Sequence, residues 1–233
     1  MLDQLSIVLF WSSLLLAEKP PVEDLGNGHY RIGQVTFKET SREISFPAEI
    51  NMTEGLLEYA IVHEKGKIHE SLLLTNTSAL NINIALKLLR YQESPELFPI
   101  LNENYESTGK FPELPESQKT AARLRILLSW NFGGKSHQHS LNELIYHTTT
   151  EKPMSPKPWI YQGSYLHEGK FKAETSGDYA AIYITRSSLF NFSGDDNGND
   201  EVWIPNPKLT PPVGTKITVT LAPLLDHSQN NKP

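Results

Sequence analysis

Cysteine is absent from all 233 residues of this chain. Without thiols the chain cannot form disulfides, thiolate zinc sites or iron–sulfur clusters on its own side chains. The glycine-rich loops that bind nucleotide phosphates are missing too, and so is the Gly-x-Ser-x-Gly turn of the α/β-hydrolases. These absences argue against the best-marked classes of redox protein, nucleotide-dependent enzyme and serine hydrolase, and we expect no cofactor.

Positive charge is scarce as well. The 21 lysines and arginines are outnumbered by 27 aspartates and glutamates, which gives a net charge of −6. No predicted element carries a basic stripe that would follow a phosphate backbone. We therefore expect no nucleic-acid partner.

Long hydrophobic runs are limited to the N-terminus. Residues 5–16 are apolar apart from three serines, and this run is too short for a helix that crosses about 30 Å of hydrocarbon. Together with Ala17 and the polar residues after it, the run predicts a secretory signal peptide over residues 1–17. Asp3 stands where a basic residue is usual and Leu15 where a smaller one is preferred, so an uncleaved anchor or a core segment is the alternative. The prediction is an exported protein, periplasmic or extracellular, with no transmembrane span in its mature chain.

Strand patterns outnumber helical patterns in the rest of the chain. Short runs of β-branched and aromatic residues between glycine, proline and acidic turns predict strands, at residues 29–32, 35–37, 43–50, 56–63, 68–75, 122–130, 159–162, 170–174, 179–185, 202–204 and 216–221. One clear helical period runs from residue 79 to about residue 90, with Ser78 as its N-cap. Its apolar stripe is expected to contain Leu80, Ile84, Ala85, Leu88 and Leu89.

These patterns predict a β-dominated α+β fold in which antiparallel sheets pack against one well-formed helix. The domain should cover residues 28–223, with a probable surface insertion at residues 92–120 that is rich in Glu, Ser, Pro and Asn. A linker at residues 18–27 precedes it, and a polar tail at residues 224–233 follows.

The segment from Gly55 to Thr75 is the most informative part of the sequence. Residues 56–63 and 68–75 should pair as a hairpin around Lys65–Gly66, with Val62 opposite His69 and Ile61 opposite Glu70. This hairpin would place His69, Glu70 and Ser71 inside an apolar strand, where polar groups need partners or a function. On a regular strand His69 and Ser71 share one face with their Cα atoms about 7 Å apart, so direct Ser–His activation needs a bulge or a strand end. Structural hydrogen bonding, a ligand pocket and catalysis remain open, in that order.

The string Gly66-Lys-Ile-His-Glu-Ser71, followed by a helix that ends in Ala85-Leu-Lys-Leu-Leu89, resembles the YdjY-like domain of bacterial envelope proteins. Three later blocks resemble the same domain in the same order: Lys157-Pro-Trp-Ile-Tyr-Gln-Gly-Ser164, Ser176-Gly-Asp178 and Pro211-Pro-Val-Gly-Thr215. The resemblance covers roughly residues 28–223 and implies an envelope location, but it implies no particular reaction. The long insertion and the Gly-Gly-Lys-Ser-His-Gln-His stretch depart from the family's pattern.

The polar and aromatic residues within these blocks form our candidate ligand site: His69, Glu70, Ser71, Trp159, Tyr161, Ser164 and Asp178. We assign no catalytic residue. We also predict no metal site, because the pair His137 and His139 falls in a predicted loop and the acidic turn at residues 195–201 lacks the EF-hand spacing.

The function expected from these features is that of an exported, non-catalytic module that binds a small molecule or a protein partner in the bacterial envelope. One alternative is a hydrolase that uses Ser71 and His69. The other is a purely structural assembly protein, for which a large exposed apolar patch would be the sign.

Overall fold

The computed structural model describes residues 22–224. The predicted signal peptide, the first residues of the predicted linker and all but the first residue of the predicted tail lie outside the described residues. The strands are β1 Glu23–Gly26, β2 His29–Ile32, β3 Val35–Lys38, β4 Glu43–Ile50, β5 Tyr59–His63, β6 Ser71–Thr75, β7 Arg123–Phe132, β8 Lys135–Ser140, β9 Ile145–His147, β10 Lys152–Pro153, β11 Trp159–Tyr161, β12 Leu166–His167, β13 Lys170–Phe171, β14 Asp178–Ala181, β15 Phe190–Phe192, β16 Trp203–Pro205 and β17 Lys216–Pro223. The α-helices are α1 Ala79–Leu88, α2 Glu116–Ala122 and α3 Lys172–Ser176, and single 3₁₀ turns cover Ile68–Glu70 and Leu141–Leu144.

The main sheet has the strand order β1-β2-β3-β4-β17-β7-β11-β15-β14-β5-β6, with β8 paired to β7. Because β4 also pairs with β6, the eight strands from β4 round to β6 close into a ring. Most neighbours are antiparallel, and the parallel pairs are β5 with β6 and β14 with β15. A three-stranded sheet, β10-β9-β16, and the small hairpin β12-β13 lie beside the ring. The prediction of a β-dominated α+β fold is confirmed.

The interior of the ring is packed by the alternate residues of its long strands. In β4 the burial alternates residue by residue, and the same period of two recurs in β7 and β17. The largest fully buried side chains in this core are those of Trp159, Tyr161, Tyr179, Phe190 and Phe192. Burying one such side chain contributes roughly 1.5–3 kcal/mol, so the apolar pattern accounts for the closure of the sheet.

Helix α1 begins as expected, because the Ser78 side chain accepts a hydrogen bond from the Asn81 backbone amide. Its buried face is rotated from the predicted stripe. Ile82 and Leu86 are fully buried, whereas Leu88 is 52% exposed. Both arcs of this helix are apolar, and contact with β3, β4 and α3 selects which one is buried.

The predicted hairpin of residues 56–63 and 68–75 is wrong. Strands β5 and β6 run parallel, with Tyr59 opposite Ser71, and residues 64–70 carry the chain back between them. β14 takes the place predicted for the second hairpin strand, with its Asp178 opposite Val62. His69 and Glu70 therefore lie in the 3₁₀ turn rather than in a strand.

Gly66 has a different role from the turn that we expected. It is not among the glycines with positive φ. A Cβ atom on Gly66 would lie 3.1 Å from the His63 carbonyl oxygen and 3.4 Å from the Gly177 Cα. Glycine is needed here because the connection at residues 64–70 passes directly over the turn before β14.

A strand also forms where part of the linker was predicted. Residues 23–26 pair with β2 as β1, because Asn27 and Gly28 adopt φ angles of 54° and 70° and close a tight hairpin. Asn-Gly is a strong hairpin signal, so this element was readable from the sequence.

Two further segments differ from the prediction. Residues 92–115 contain no helix or named strand, as a surface insertion would, but α2 begins at Glu116. His137 and His139 lie in strand β8 instead of a loop, since Gly133 and Gly134 close a hairpin with β7. Across residues 22–224, none of the helices has the length and apolar character needed to cross a membrane.

Candidate functional site

Ser71 opens β6 and is fully buried. Its hydroxyl donates a hydrogen bond of 2.5 Å to the carbonyl oxygen of Lys67. The Lys67 side chain turns back over β5, where its ammonium group donates to the Tyr59 hydroxyl and lies 4.3 Å from the centre of that ring. The same ammonium group is 3.5 Å from Oδ1 of Asp178. These contacts join the return connection to three strands of the ring, β5, β6 and β14.

Asp178 is the most deeply buried acidic group of the site, with 1% of its surface exposed. Its Oδ2 accepts a hydrogen bond from the Ser187 hydroxyl. Within residues 22–224, its Oδ1 is the one buried side-chain oxygen or nitrogen that lacks a hydrogen bond. A buried carboxylate is costly unless a counter-charge stabilises it, and Lys67 provides that charge.

Ser164 extends the same network towards α3. Its hydroxyl donates to the Ser187 carbonyl oxygen at 2.6 Å and accepts from the Ala173 backbone amide at 3.0 Å. We call Lys67, Tyr59 and Asp178 the inner cluster. Through Lys67 and Ser187 it connects three residues of the predicted site, Ser71, Asp178 and Ser164.

The protonation states of the inner cluster follow from its burial and its contacts. Burial alone would lower the pKa of Lys67, but the Tyr59 hydroxyl and the Asp178 carboxylate outweigh it, so the pKa is raised. Burial also raises the pKa of Tyr59, against the opposing effect of Lys67. At neutral pH Lys67 is therefore an ammonium ion and Tyr59 a neutral phenol. Neither is suited to act as a base or nucleophile.

Trp159 and Tyr161 lie elsewhere, in the core. The Trp159 indole donates to Oδ1 of Asn142 at 2.9 Å, and Tyr161 donates to Oδ1 of Asn83 at 2.5 Å. Burial raises the pKa of Tyr161 well above its usual value.

The buried Tyr161 hydroxyl is also 3.4 Å from Oε1 of Glu93, whose side chain is 42% exposed. That carboxylate forms an ion pair of 2.7 Å with Lys87, whose ammonium group lies 5.5 Å from the centre of the Tyr161 ring. We call Lys87, Tyr161 and Glu93 the outer cluster.

His69 and Glu70 face away from both clusters. His69 has 78% of its side chain exposed, and its Nε2 lies 3.6 Å from Oε2 of Glu70. Both residues border an open depression of about 420 Å³, which we call the rim depression and which is lined by Leu56, Glu58, His69, Glu70, Asp200 and Glu201. Burial raises the pKa of Glu58, and the neighbouring carboxylates Glu70 and Asp200 raise it further.

The geometry gives little support for catalysis by Ser71. Its hydroxyl is committed to a backbone carbonyl, and His69 points to solvent, so the two do not form a nucleophile–base pair. No group of three or more His, Asp or Glu side chains that could hold a metal ion occurs between residues 22 and 224.

The sequence gives no sign that His147 is buried. The Nε2 atom of His147 is 3.0 Å from Oδ2 of Asp196, and its Nδ1 accepts from the backbone amides of Thr149 and Thr150. The imidazole ring packs edge-on against Trp203. Both ring nitrogens are occupied, so His147 holds the acidic turn against β9 instead of acting as a base.

The histidines of β8 also serve packing. The His137 and His139 rings stack on Trp130, with centroid distances of 5.3 and 5.6 Å. Residues two apart on a strand share one face, so both histidines can reach Trp130. The sequence signal for this strand is the Gly133-Gly134 hairpin turn.

No family model, no curated protein and no solved structure matches this chain. The functional argument therefore depends on the chain's own residues.

Proposed function

We propose that this chain is an exported, non-catalytic binding module of a bacterial cell envelope. The observation that carries the proposal is the internal commitment of the buried site residues: Ser71 and Ser164 are hydrogen-bonded within the protein, and Asp178 is held by Ser187 and the ion pair with Lys67. The signal-like run at residues 1–17 supports export, and the YdjY-like order of the sequence blocks supports an envelope location. In this proposal the buried residues of the predicted site stabilise the fold and the exposed ones contact the partner.

The exposed residues of the predicted site are at the rim depression, where we place the binding surface. Here the His69 side chain is 78% exposed and the half-buried Glu70 side chain 20% exposed, and Leu56 is 48% exposed beside them. Burial raises the pKa of Glu58, and the carboxylates of Glu70 and Asp200 raise it further, so negative charge is crowded at this surface. A partner that brings a cationic group next to an aliphatic one fits this combination.

Calorimetric titration of the full chain with a short lysine- and leucine-containing peptide tests the binding surface. A peptide with glutamate in place of lysine is the matched control. We expect saturable binding of the first peptide alone, lost in His69→Ala and Glu70→Gln and retained in Ser71→Ala. Equal binding by all three variants would rule out the rim depression as the surface.

The hydrolase alternative makes the opposite prediction for Ser71. If the full chain cleaves a simple aryl ester and Ser71→Ala abolishes that activity, the protein is an enzyme and the proposal is wrong.

For export, we expect the protein recovered from the periplasm or the medium to begin at Glu18. Recovery of the intact N-terminus from the cytoplasm alone would contradict export.

A further inference from the structure

Residues 100–113 form a projecting arm, which we call the acidic arm. All side chains from Leu101 to Lys110 are exposed, yet the backbone is paired, with the Ile100 amide donating to the Lys110 carbonyl at 2.7 Å. The Asn102 side chain accepts from the amides of Asn104 and Glu106, both at 2.9 Å. The arm thus holds its shape without a core of its own, which lowers the entropic cost of using it as a contact surface.

The acidic arm exposes large apolar side chains together with negative charge. Tyr105 is 85% exposed at its tip, and Phe111 is 55% exposed near its base. Glu103 and Glu113 form no ion pair with any residue between 22 and 224. A preorganised aromatic surrounded by unpaired charge is typical of a protein contact.

The hairpin β12-β13 has the complementary composition, and we call residues 165–172 the basic hairpin. Leu166 is 72% exposed and Tyr165 is 44% exposed. Lys170 and Lys172 are without ion pairs in the described part of the chain, and Glu168 is the single acidic residue of the hairpin. The basic hairpin can therefore offer an apolar contact and positive charge to the acidic arm.

Both elements are anchored to neighbouring residues of the same connection. The Arg186 guanidinium donates to the Pro99 carbonyl at 3.1 Å and lies over the Phe98 ring at the root of the acidic arm. The next residue, Ser187, accepts a hydrogen bond from Ser164 at the root of the basic hairpin. Because the two roots are held by the adjacent residues Arg186 and Ser187, a twofold axis beside this connection allows both arm–hairpin contacts to form at once and closes the assembly.

We propose that this side is a self-association surface, through which two copies of this chain form a dimer by reciprocal contact of acidic arm and basic hairpin. Tyr105 and Leu166 supply the apolar contact. The carboxylates of Glu103 and Glu113 face the ammonium groups of Lys170 and Lys172 of the other copy. This assembly is independent of what the rim depression binds.

Sedimentation equilibrium of the full chain over a range of concentrations tests the proposal. We expect a monomer–dimer equilibrium that weakens as salt is added. Tyr105→Ser and Leu166→Ser should each raise the dimer dissociation constant roughly tenfold or more. All substituted side chains here except Lys172 are largely exposed, so unchanged thermal unfolding serves as the control for folding.

Charge reversal gives the sharpest test. One variant carries Glu103→Lys with Glu113→Lys, and the other carries Lys170→Glu with Lys172→Glu. Each should be monomeric alone, and an equimolar mixture of the two should form a heterodimer, because every arm then meets a hairpin of opposite charge. A monomeric wild-type chain would overturn the proposal. Unchanged association in all of these variants would overturn it too. That result would be expected if the copies met through the N-terminal apolar run instead.

Discussion

The inner and outer clusters contain the same kinds of side chain in different surroundings. In the outer cluster Lys87 and Glu93 are 2.7 Å apart, and 42% of the Glu93 side chain is exposed. In the inner cluster Lys67 and Asp178 are 3.5 Å apart, but Asp178 has only 1% exposure. Water screens the shorter pair, whereas the longer pair offsets the burial of a charge. The distance between the charges therefore does not show which ion pair matters more for stability. The longer pair does, because its carboxylate is buried.

The backbone around the two clusters differs in the same sense. Behind the inner cluster, Gly66 and Gly177 bring two backbone segments into direct contact. Beside the outer cluster, the space that a Cβ of Gly163 would occupy is filled by the carboxylate of Glu93. A side chain can move aside and a backbone cannot, so the inner cluster is part of the framework, whereas the Lys87–Glu93 ion pair of the outer cluster lies at the surface.

Replacing the lysine of each cluster should give the largest difference in stability between the two clusters. Lys67→Met leaves Asp178 buried without its counter-charge, and we expect the free energy of unfolding to fall by about 3–5 kcal/mol. The matched variant Lys87→Met removes an exposed pair and should cost less than about 1 kcal/mol. Urea unfolding of the full chain at neutral pH measures both.

A double-mutant cycle identifies the cause. Adding Asp178→Asn to Lys67→Met removes the stranded charge, so the double variant should be more stable than Lys67→Met alone. Equal losses from Lys67→Met and Lys87→Met, or no recovery in the double variant, would show that Asp178 does not depend on Lys67.

Alanine substitutions at Gly177 and Gly163 should give a smaller difference in the free energy of unfolding. Again the change beside the inner cluster should be the more destabilising. Gly177 and Gly163 have φ angles of 77° and 86°, so either substitution introduces strain of about 1–3 kcal/mol. A Cβ at Gly177 also meets the Gly66 Cα at 3.1 Å, whereas at Gly163 the atoms displaced belong to Glu93. We expect Gly177→Ala to be the more destabilising of the two in urea unfolding. The reverse order would mean that Glu93 is held more firmly than the backbone at Gly66.

The sequence could predict those elements whose signals are local. The alternating apolar residues of β4 and the Ser78 cap of α1 define their elements without reference to the rest of the chain. The Asn27-Gly28 turn before β2 is an equally local signal.

The partners of β5 and β6 could not be predicted in this way. A continuous apolar run does not show whether the next strand returns antiparallel or crosses over, and here β14 takes the place next to β5. For the same reason the sequence suggested Ser71 and Asp178 as site residues but gave no sign of Lys67. The role of Lys67 exists only once residues 64–70 cross back over the ring.

The carboxylates of the rim depression differ from those of both clusters, because no lysine among the described residues forms an ion pair with them. Here we expect the smallest effect on stability. The pKa of Glu58 is raised above 4.5 by burial and by Glu70 and Asp200, and the positive charge of Lys67 opposes this rise without cancelling it. The folded state thus binds the Glu58 proton more tightly than the unfolded state does. This favourable contribution is fully present below pH 4.5 and is lost as the pH rises through the folded-state pKa.

Glu58→Gln should accordingly stabilise the protein at neutral pH, by about a few tenths of a kcal/mol, because water still screens this half-buried group. In acid, where Glu58 is protonated in both states, the substitution should have no effect. Glu151→Gln, which changes an exposed carboxylate that forms no ion pair within residues 22–224, is the control and should be neutral at both pH values. Urea unfolding at the two pH values measures the difference. If Glu58→Gln stabilises the protein equally in acid, the gain in stability comes from packing. Crowding of negative charge would then not distinguish the rim depression from the inner cluster.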